Sequence, residues 1–77
     1  MAEVKISNHC IYRFMERGID VHEAKKIAKN GVVTKSESNG TLTKQGICGN
    51  GRTLEVVVIV GTRDIIIKTA YYADKPR

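Results

Sequence analysis

The sequence predicts an α+β domain in which two N-terminal helices pack on one face of a four-stranded antiparallel β-meander. Apolar residues recur at helical spacing up to about residue 30, and from Gly31 onward they alternate with polar residues. The alternating segments are joined by short turns, which make neighbouring strands antiparallel. At 77 residues the chain is long enough for one domain, so residues 1–77 are expected to form a single layered unit.

The first helix is predicted over about residues 7–17. Ser7 is a suitable N-cap, because its hydroxyl can accept a hydrogen bond from a free backbone N–H of the first turn. Gly18 then occupies the C′ position, where a left-handed residue ends a helix, and Ile19 can fold back onto the apolar face. That face contains Ile6, Cys10, Ile11, Phe14 and Met15.

The second helix is predicted over about residues 21–30. Asp20 can cap it, and Glu23 three residues later completes a capping-box pattern. The helix is expected to end at Asn30-Gly31. Because almost no linker separates the two helices, they are expected to form an angled hairpin.

Four strands are predicted, at about residues 32–37, 41–47, 53–60 and 65–72. Asn39-Gly40 indicates a tight hairpin, because both central positions of a type I′ turn favour positive φ. The third strand is apolar enough to be central in the sheet, whereas the first is polar. Residues 73–77 are expected to form a short flexible tail.

The composition favours a polyanionic partner. The formal net charge is +5 and the pI is near 9.5, a balance typical of proteins that bind nucleic acid or acidic proteins. The apolar runs are far shorter than the roughly 20 residues of a membrane span, and the N-terminus lacks the apolar segment of a signal peptide, so we expect a cytoplasmic protein with no membrane partner. The two cysteines form no zinc-binding pair and are expected to be packing residues, so neither a metal nor a cofactor is expected.

A basic stripe on the first helix carries the candidate chemistry. His9, Arg13 and Arg17 follow one another at intervals of four residues, and each interval turns only about 40° around the helix axis. The stripe borders the apolar face, so it is expected at the rim where the helix meets the sheet. An imidazole beside two permanent cations suits acid/base chemistry next to a phosphate.

The last strand is expected to supply the opposite wall of a cleft. Strict alternation places Thr69 and Tyr71 on the same face as Ile65 and Ile67. If that face packs against the helices, the Thr69 hydroxyl is directed toward the basic stripe. The candidate catalytic residues are His9, Arg13 and Thr69; the candidate substrate-binding residues are Arg17, Lys44, Arg52 and Tyr71.

Internal transesterification of RNA requires only a few such groups. A base takes the proton of the 2′-hydroxyl, an acid protonates the leaving 5′-oxygen, and cations stabilise the charged phosphorane.

Purely structural roles stay open at this point. The two arginines can pair with Glu16, Asp20 or Glu23, and Thr69 suits a strand simply because it is β-branched.

The chain resembles the small bacterial DUF4258 domains in three places. These are the pattern Ser7-x-His9-x3-Arg13-x3-Arg17-Gly18-Ile19, the second helix with Gly31, and the closing Ile67-x-Thr69-x-Tyr71. Those domains are similar to the RelE-like toxins and to the barnase–EndoU–colicin–RelE (BECR) group of ribonuclease toxins.

The resemblance implies two helices on a four-stranded antiparallel sheet and metal-independent cleavage of RNA, either free or on the ribosome. It also implies restraint by an antitoxin or immunity protein. Carried onto this sequence, it makes His9 the acid/base, Arg13 and Arg17 the phosphate ligands, and Thr69 a polar group on the final strand. Lys44 and Arg52 match no motif of the family.

We therefore favour an endoribonuclease of toxin type over two alternatives. One is a non-catalytic RNA- or protein-binding module that uses the same basic stripe. The other is a partner-dependent toxin relic whose first strand, at residues 32–37, pairs with another chain. Geometry separates them, because catalysis requires His9, an arginine and Thr69 to converge within the reach of one phosphate.

Overall fold

The computed structural model describes residues 3–73 as two helices packed on one face of a five-stranded mixed sheet. In chain order the elements are β1 (Glu3–Ile6), α1 (Asn8–Glu16), α2 (Val21–Asn30), β2 (Val32–Ser36), β3 (Thr41–Ile47), β4 (Thr53–Val60) and β5 (Asp64–Tyr72). The strand order is β1-β5-β4-β3-β2. The α+β class and both helices are confirmed, and residues 74–77 of the predicted tail lie outside the described residues.

An additional strand, β1, contradicts the predicted four-stranded antiparallel meander. β1 pairs in parallel with β5, with Val4 opposite Ile65 and Ile6 opposite Ile67. Ile6 therefore belongs to a strand and not to the apolar face of the first helix. The local signal is a single short alternation, in which half-buried Val4 and Ile6 alternate with exposed Glu3 and Lys5. Its partner β5 is the last strand of the described residues, and no turn motif in the sequence indicates such a distant pairing.

Both ends of α1 form as predicted. The Ser7 hydroxyl accepts from the backbone N–H of Cys10 at 3.2 Å. At the other end Gly18 has φ of 69°, and the N–H of Ile19 donates to the carbonyl of Phe14 at 2.8 Å, which is the hydrogen bond of a Schellman motif. Ile19 is buried in the core directly after this cap.

The start of α2 is capped by Asp20, but Glu23 does not complete a capping box. The Asp20 carboxylate accepts from the backbone N–H of His22 at 2.8 Å. The Glu23 carboxylate instead accepts from the backbone N–H of Gly49 at 3.2 Å. Glu23 therefore ties the turn between β3 and β4 to the second helix.

The hairpin at Asn39-Gly40 is present, but the type I′ turn is wrong. Among residues 3–73 positive φ occurs only at glycines, so Asn39 cannot occupy the first central position of that turn. The turn is closed by the N–H of Gly40 on the carbonyl of Glu37 at 3.2 Å, and the Asn39 side chain accepts from the N–H of Thr41 at 3.1 Å. Gly40, with φ of 89°, then returns the chain to the strand.

The core lies between the helices and the inner face of the sheet. Phe14 is its largest buried side chain, and Ile27 of α2 packs against Gly46 so closely that a Cβ there would lie 2.7 Å from Ile27 Cγ1. Met15, predicted on the apolar face, is 70% exposed, since it is turned about 100° around the helix axis from buried Phe14. Neither helix among residues 3–73 is long and apolar enough to cross a bilayer.

A β-bulge interrupts β5 at Lys68. Val58 pairs with Ile67 and Val57 with Thr69, so Lys68 has no opposite residue on β4. The predicted strict alternation therefore fails beyond this point. After Ile65 and Ile67, the positions that contact the core are Ala70 and Tyr72, not Thr69 and Tyr71.

Candidate functional site

A cleft of about 150 Å³ lies between α1 and the bulged part of β5. Phe14, which is fully buried, contributes the apolar part of its lining. Among residues 3–73 its lining is His9, Cys10, Arg13, Phe14, Arg17, Lys68 and Thr69. The basic stripe and Thr69 therefore border the same small volume, although they are far apart in the sequence.

The position of the cleft follows from the length of β1. β1 pairs with β5 only as far as Ile67, so the edge of β5 beyond that residue has no strand partner. α1 covers this edge instead. The Cys10 thiol donates to the carbonyl of Lys68 at 3.1 Å, and Arg17 Nη1 donates to the carbonyl of Ala70 at 3.0 Å and to Thr69 Oγ1 at 3.3 Å.

His9 and Arg13 project from the exposed side of α1 and line the cleft. Within residues 3–73, the only ion pair joins Lys5 to Asp64 at 3.2 Å, so Arg13 and Arg17 do not pair with Glu16, Asp20 or Glu23. The ion-pairing role left open for the two arginines is therefore absent from the described part of the chain. Both guanidinium groups keep their charge available to a ligand.

The electrostatic character of the cleft is strongly positive. Three of its lining residues carry cationic side chains, namely Arg13, Arg17 and Lys68, and His9 contributes an imidazole. None of the described residues that line it is acidic. A site of this kind attracts an anion, and phosphate oxygens match the fixed donor fork of arginine particularly well.

The other predicted substrate-binding residues lie away from this cleft. Lys44 reaches the end of α2, where its Nζ donates to the carbonyl of Ala28 at 2.9 Å. Arg52 stacks on the ring of Tyr72, with its guanidinium carbon 3.8 Å from the ring centroid. Tyr71 is 43% exposed and does not line the cleft, because the bulge at Lys68 shifts the alternation of β5.

Two residues that line the cleft were not predicted as site residues from the sequence. Cys10 was expected only to pack, but its thiol joins α1 to β5. Lys68 was placed on the face away from the helices by strict alternation, whereas it lines the cleft. The available signals were a cysteine next to His9 and a lysine at the variable position of Ile67-x-Thr69. Their place in the cleft depends on how α1 packs against β5, which the sequence does not indicate.

The model of a family described as "Domain of unknown function (DUF4258)" matches residues 6–72. No curated protein and no solved structure matches the chain. The matched range runs from the end of β1 to the end of β5 and includes every residue that lines the cleft. The chain therefore belongs to the DUF4258 family.

Proposed function

We propose that this protein is a metal-independent endoribonuclease of toxin type that cleaves RNA by acid/base catalysis. One observation carries the proposal: a histidine and three cationic side chains surround a single cleft whose described lining contains no carboxylate. The resemblance to RelE-like and BECR toxins supports RNA as the substrate. An imidazole, two guanidinium groups and an ammonium group are also what cleavage of a phosphodiester requires in the absence of a metal ion.

The size of the cleft favours a phosphate group as the ligand. At about 150 Å³ the cleft is smaller than the roughly 300–1,000 Å³ typical of pockets that enclose a whole small molecule. The scissile phosphate would enter it, while the flanking ribose and base groups would lie on the surrounding surface. Binding would then depend mainly on the charge of the backbone and not on the identity of the bases.

In the proposed reaction His9 acts on the 2′-hydroxyl of the ribose. Its neutral imidazole takes the hydroxyl proton, and the 2′-oxygen forms a new bond to phosphorus. The bond from phosphorus to the 5′-oxygen then breaks, and that oxygen takes a proton from an acid in the cleft or from water. The products are a 2′,3′-cyclic phosphate and a free 5′-hydroxyl.

The two arginines have different duties in this scheme. Arg13 is free to bind the non-bridging phosphate oxygens, whose negative charge grows as the phosphorane forms. Arg17 is already held by Thr69 and Ala70, so its charge is fixed in place beside the site. Thr69 orients Arg17 in this arrangement and is a positioning residue.

The proposal is tested with purified wild-type protein, His9→Ala and His22→Ala. His22 is the matched control, because it is an exposed histidine on α2 that does not line the cleft. With an end-labelled RNA and excess chelator, wild type and His22→Ala should release a 2′,3′-cyclic phosphate product, and His9→Ala should lose at least about a hundredfold in rate. Equal cleavage by His9→Ala and wild type would refute the role of His9.

The same variants can be compared in a bacterial host. Induced expression of wild type and His22→Ala should slow growth while cellular RNA is degraded, and His9→Ala should do neither. An antitoxin or immunity protein that relieves the effect would be expected to present acidic side chains to the cleft. Growth inhibition without RNA degradation would argue against a ribonuclease.

A second candidate function is a non-catalytic RNA- or protein-binding module. Its support is that His9 is the only histidine or carboxylic acid among the described lining residues, so the cleft has one evident group for moving protons near neutral pH. In that case RNA would bind in a salt-dependent way and remain intact. The cleavage assay above distinguishes the two functions.

A further inference from the structure

The bulge in β5 leaves one charged residue, Lys68, without an opposite residue on β4. If β5 were regular, Lys68 would lie opposite a residue of β4. Because Val57 and Val58 pair with Thr69 and Ile67, Lys68 is the extra residue of the bulge. Bulges are over-represented next to functional sites.

Lys68 lies next to the basic stripe of α1. Lys68 lines the cleft together with His9, Arg13 and Arg17, so cations approach the same volume from the helix and from the sheet. The backbone of Lys68 is held there by the Cys10 thiol, which donates to its carbonyl oxygen. Within residues 3–73, the Lys68 ammonium takes part in no ion pair.

We propose that Lys68, at the β5 bulge, is a phosphate-binding residue of the cleft that contacts the backbone phosphate from the side opposite Arg13. The inference rests on the proposed function, because it takes the ligand to be the phosphodiester backbone of a single-stranded nucleic acid. It assigns the sheet a direct part in binding that neither the helical motif nor the closing strand motif includes.

The test measures binding of a single-stranded DNA oligonucleotide, which has no 2′-hydroxyl and so cannot be cleaved by the proposed reaction. Wild type, Lys68→Gln, Lys68→Arg and Lys35→Gln are titrated by fluorescence anisotropy over a series of KCl concentrations. Lys35→Gln is the matched control: it removes the same charge from an exposed lysine on β2, at the opposite edge of the sheet. Thermal unfolding of each variant shows whether the fold is retained.

Lys68→Gln is expected to weaken binding about fivefold and to reduce the slope of log K against log[salt] by about 0.7, the value for one lost contact to a single strand. Lys68→Arg keeps the charge and should retain most of the wild-type affinity, although its fork will not reproduce the contact fully. Lys35→Gln should leave the slope unchanged.

The proposal is overturned if Lys68→Gln and Lys35→Gln weaken binding equally, or if wild type does not bind the oligonucleotide. Its failure is distinct from failure of the proposed function. A protein that binds the DNA through Lys68 but leaves RNA intact would disprove the ribonuclease and retain Lys68 as a phosphate ligand. If wild type cleaves RNA but Lys68→Gln and Lys35→Gln bind DNA equally, the ribonuclease proposal is retained and Lys68 is disproved as a phosphate ligand.

Discussion

Arg17 Nη1 donates to the carbonyl oxygen of Ala70 at 3.0 Å, which joins the C-terminal cap of α1 to the open edge of β5. The same nitrogen contacts Thr69 Oγ1 at 3.3 Å. Arg17 therefore supplies a hydrogen-bond donor to a carbonyl on the strand edge that β1 is too short to cover. Arg13, one helical turn earlier, has no such task. Two arginines of the same stripe are thus separable by experiment.

Replacement of Arg17 should affect stability more than replacement of Arg13. We expect Arg17→Ala to lower the free energy of unfolding by about 1 kcal/mol, since it removes a charge-assisted hydrogen bond to a backbone carbonyl. Arg13→Ala should change it by less than about 0.5 kcal/mol, as is usual for an exposed side chain without a partner. Urea denaturation followed by circular dichroism measures both values. Equal destabilisation by the two substitutions would show that the bond to Ala70 contributes little.

Replacement of Arg13 should instead affect function. We expect Arg13→Ala to reduce RNA cleavage by about a hundredfold at unchanged stability, because it removes a donor aimed at the phosphate. Arg13→Lys should recover only part of the rate, since an ammonium cannot make the bidentate contact of a guanidinium. Single-turnover cleavage of a labelled RNA gives the rates. A rate for Arg13→Ala within twofold of wild type would place the phosphate elsewhere in the cleft.

Gly31, between α2 and β2, should tolerate no side chain. A Cβ at this position would lie 2.6 Å from the backbone oxygen of Ile27 and 3.0 Å from that of Gln45, and neither oxygen can move without disturbing its element. We expect Gly31→Ala to destabilise the fold by about 2 kcal/mol, within the range of overpacking substitutions.

Gly61→Ala is the control for this prediction. Its Cβ would meet the backbone oxygen of Asp64 at 3.5 Å, an ordinary contact distance, so the change in unfolding free energy should stay below about 0.5 kcal/mol. Both variants are measured by urea denaturation. Equal stabilities for the two alanine variants would contradict the tight approach of Ile27 to Gly31.

The sequence was most informative where structure depends on neighbouring residues. Ser7 and Gly18 mark the two ends of α1 because each acts on backbone groups within a few positions of itself. The regular face spacing of His9, Arg13 and Arg17 was visible for the same reason. Thr69 was selected correctly as a neighbour of the stripe, but by an alternation that the bulge at Lys68 breaks.

Features that depend on contacts between distant residues could not be predicted from the sequence. The pairing of β1 with β5 joins the two ends of the described chain, and the alternation of four residues at its start does not specify a partner. The bulge is equally non-local, because an extra residue in β5 is defined only by its register against β4. Arg52 and Lys44 were chosen for charge alone, and their actual partners, Tyr72 and Ala28, lie in other elements.

The sheet order has a consequence for when the protein can act during its own synthesis. One wall of the cleft belongs to α1 and the other to β5, so the contact of Arg17 with Ala70 spans 53 residues. A nascent chain from which β5 has not yet emerged has the basic stripe but no opposite wall and no partner for β1. Closing so long a loop is slow compared with forming a helix. The proposed ribonuclease would therefore stay inert at the ribosome that makes it until β5 has emerged and docked.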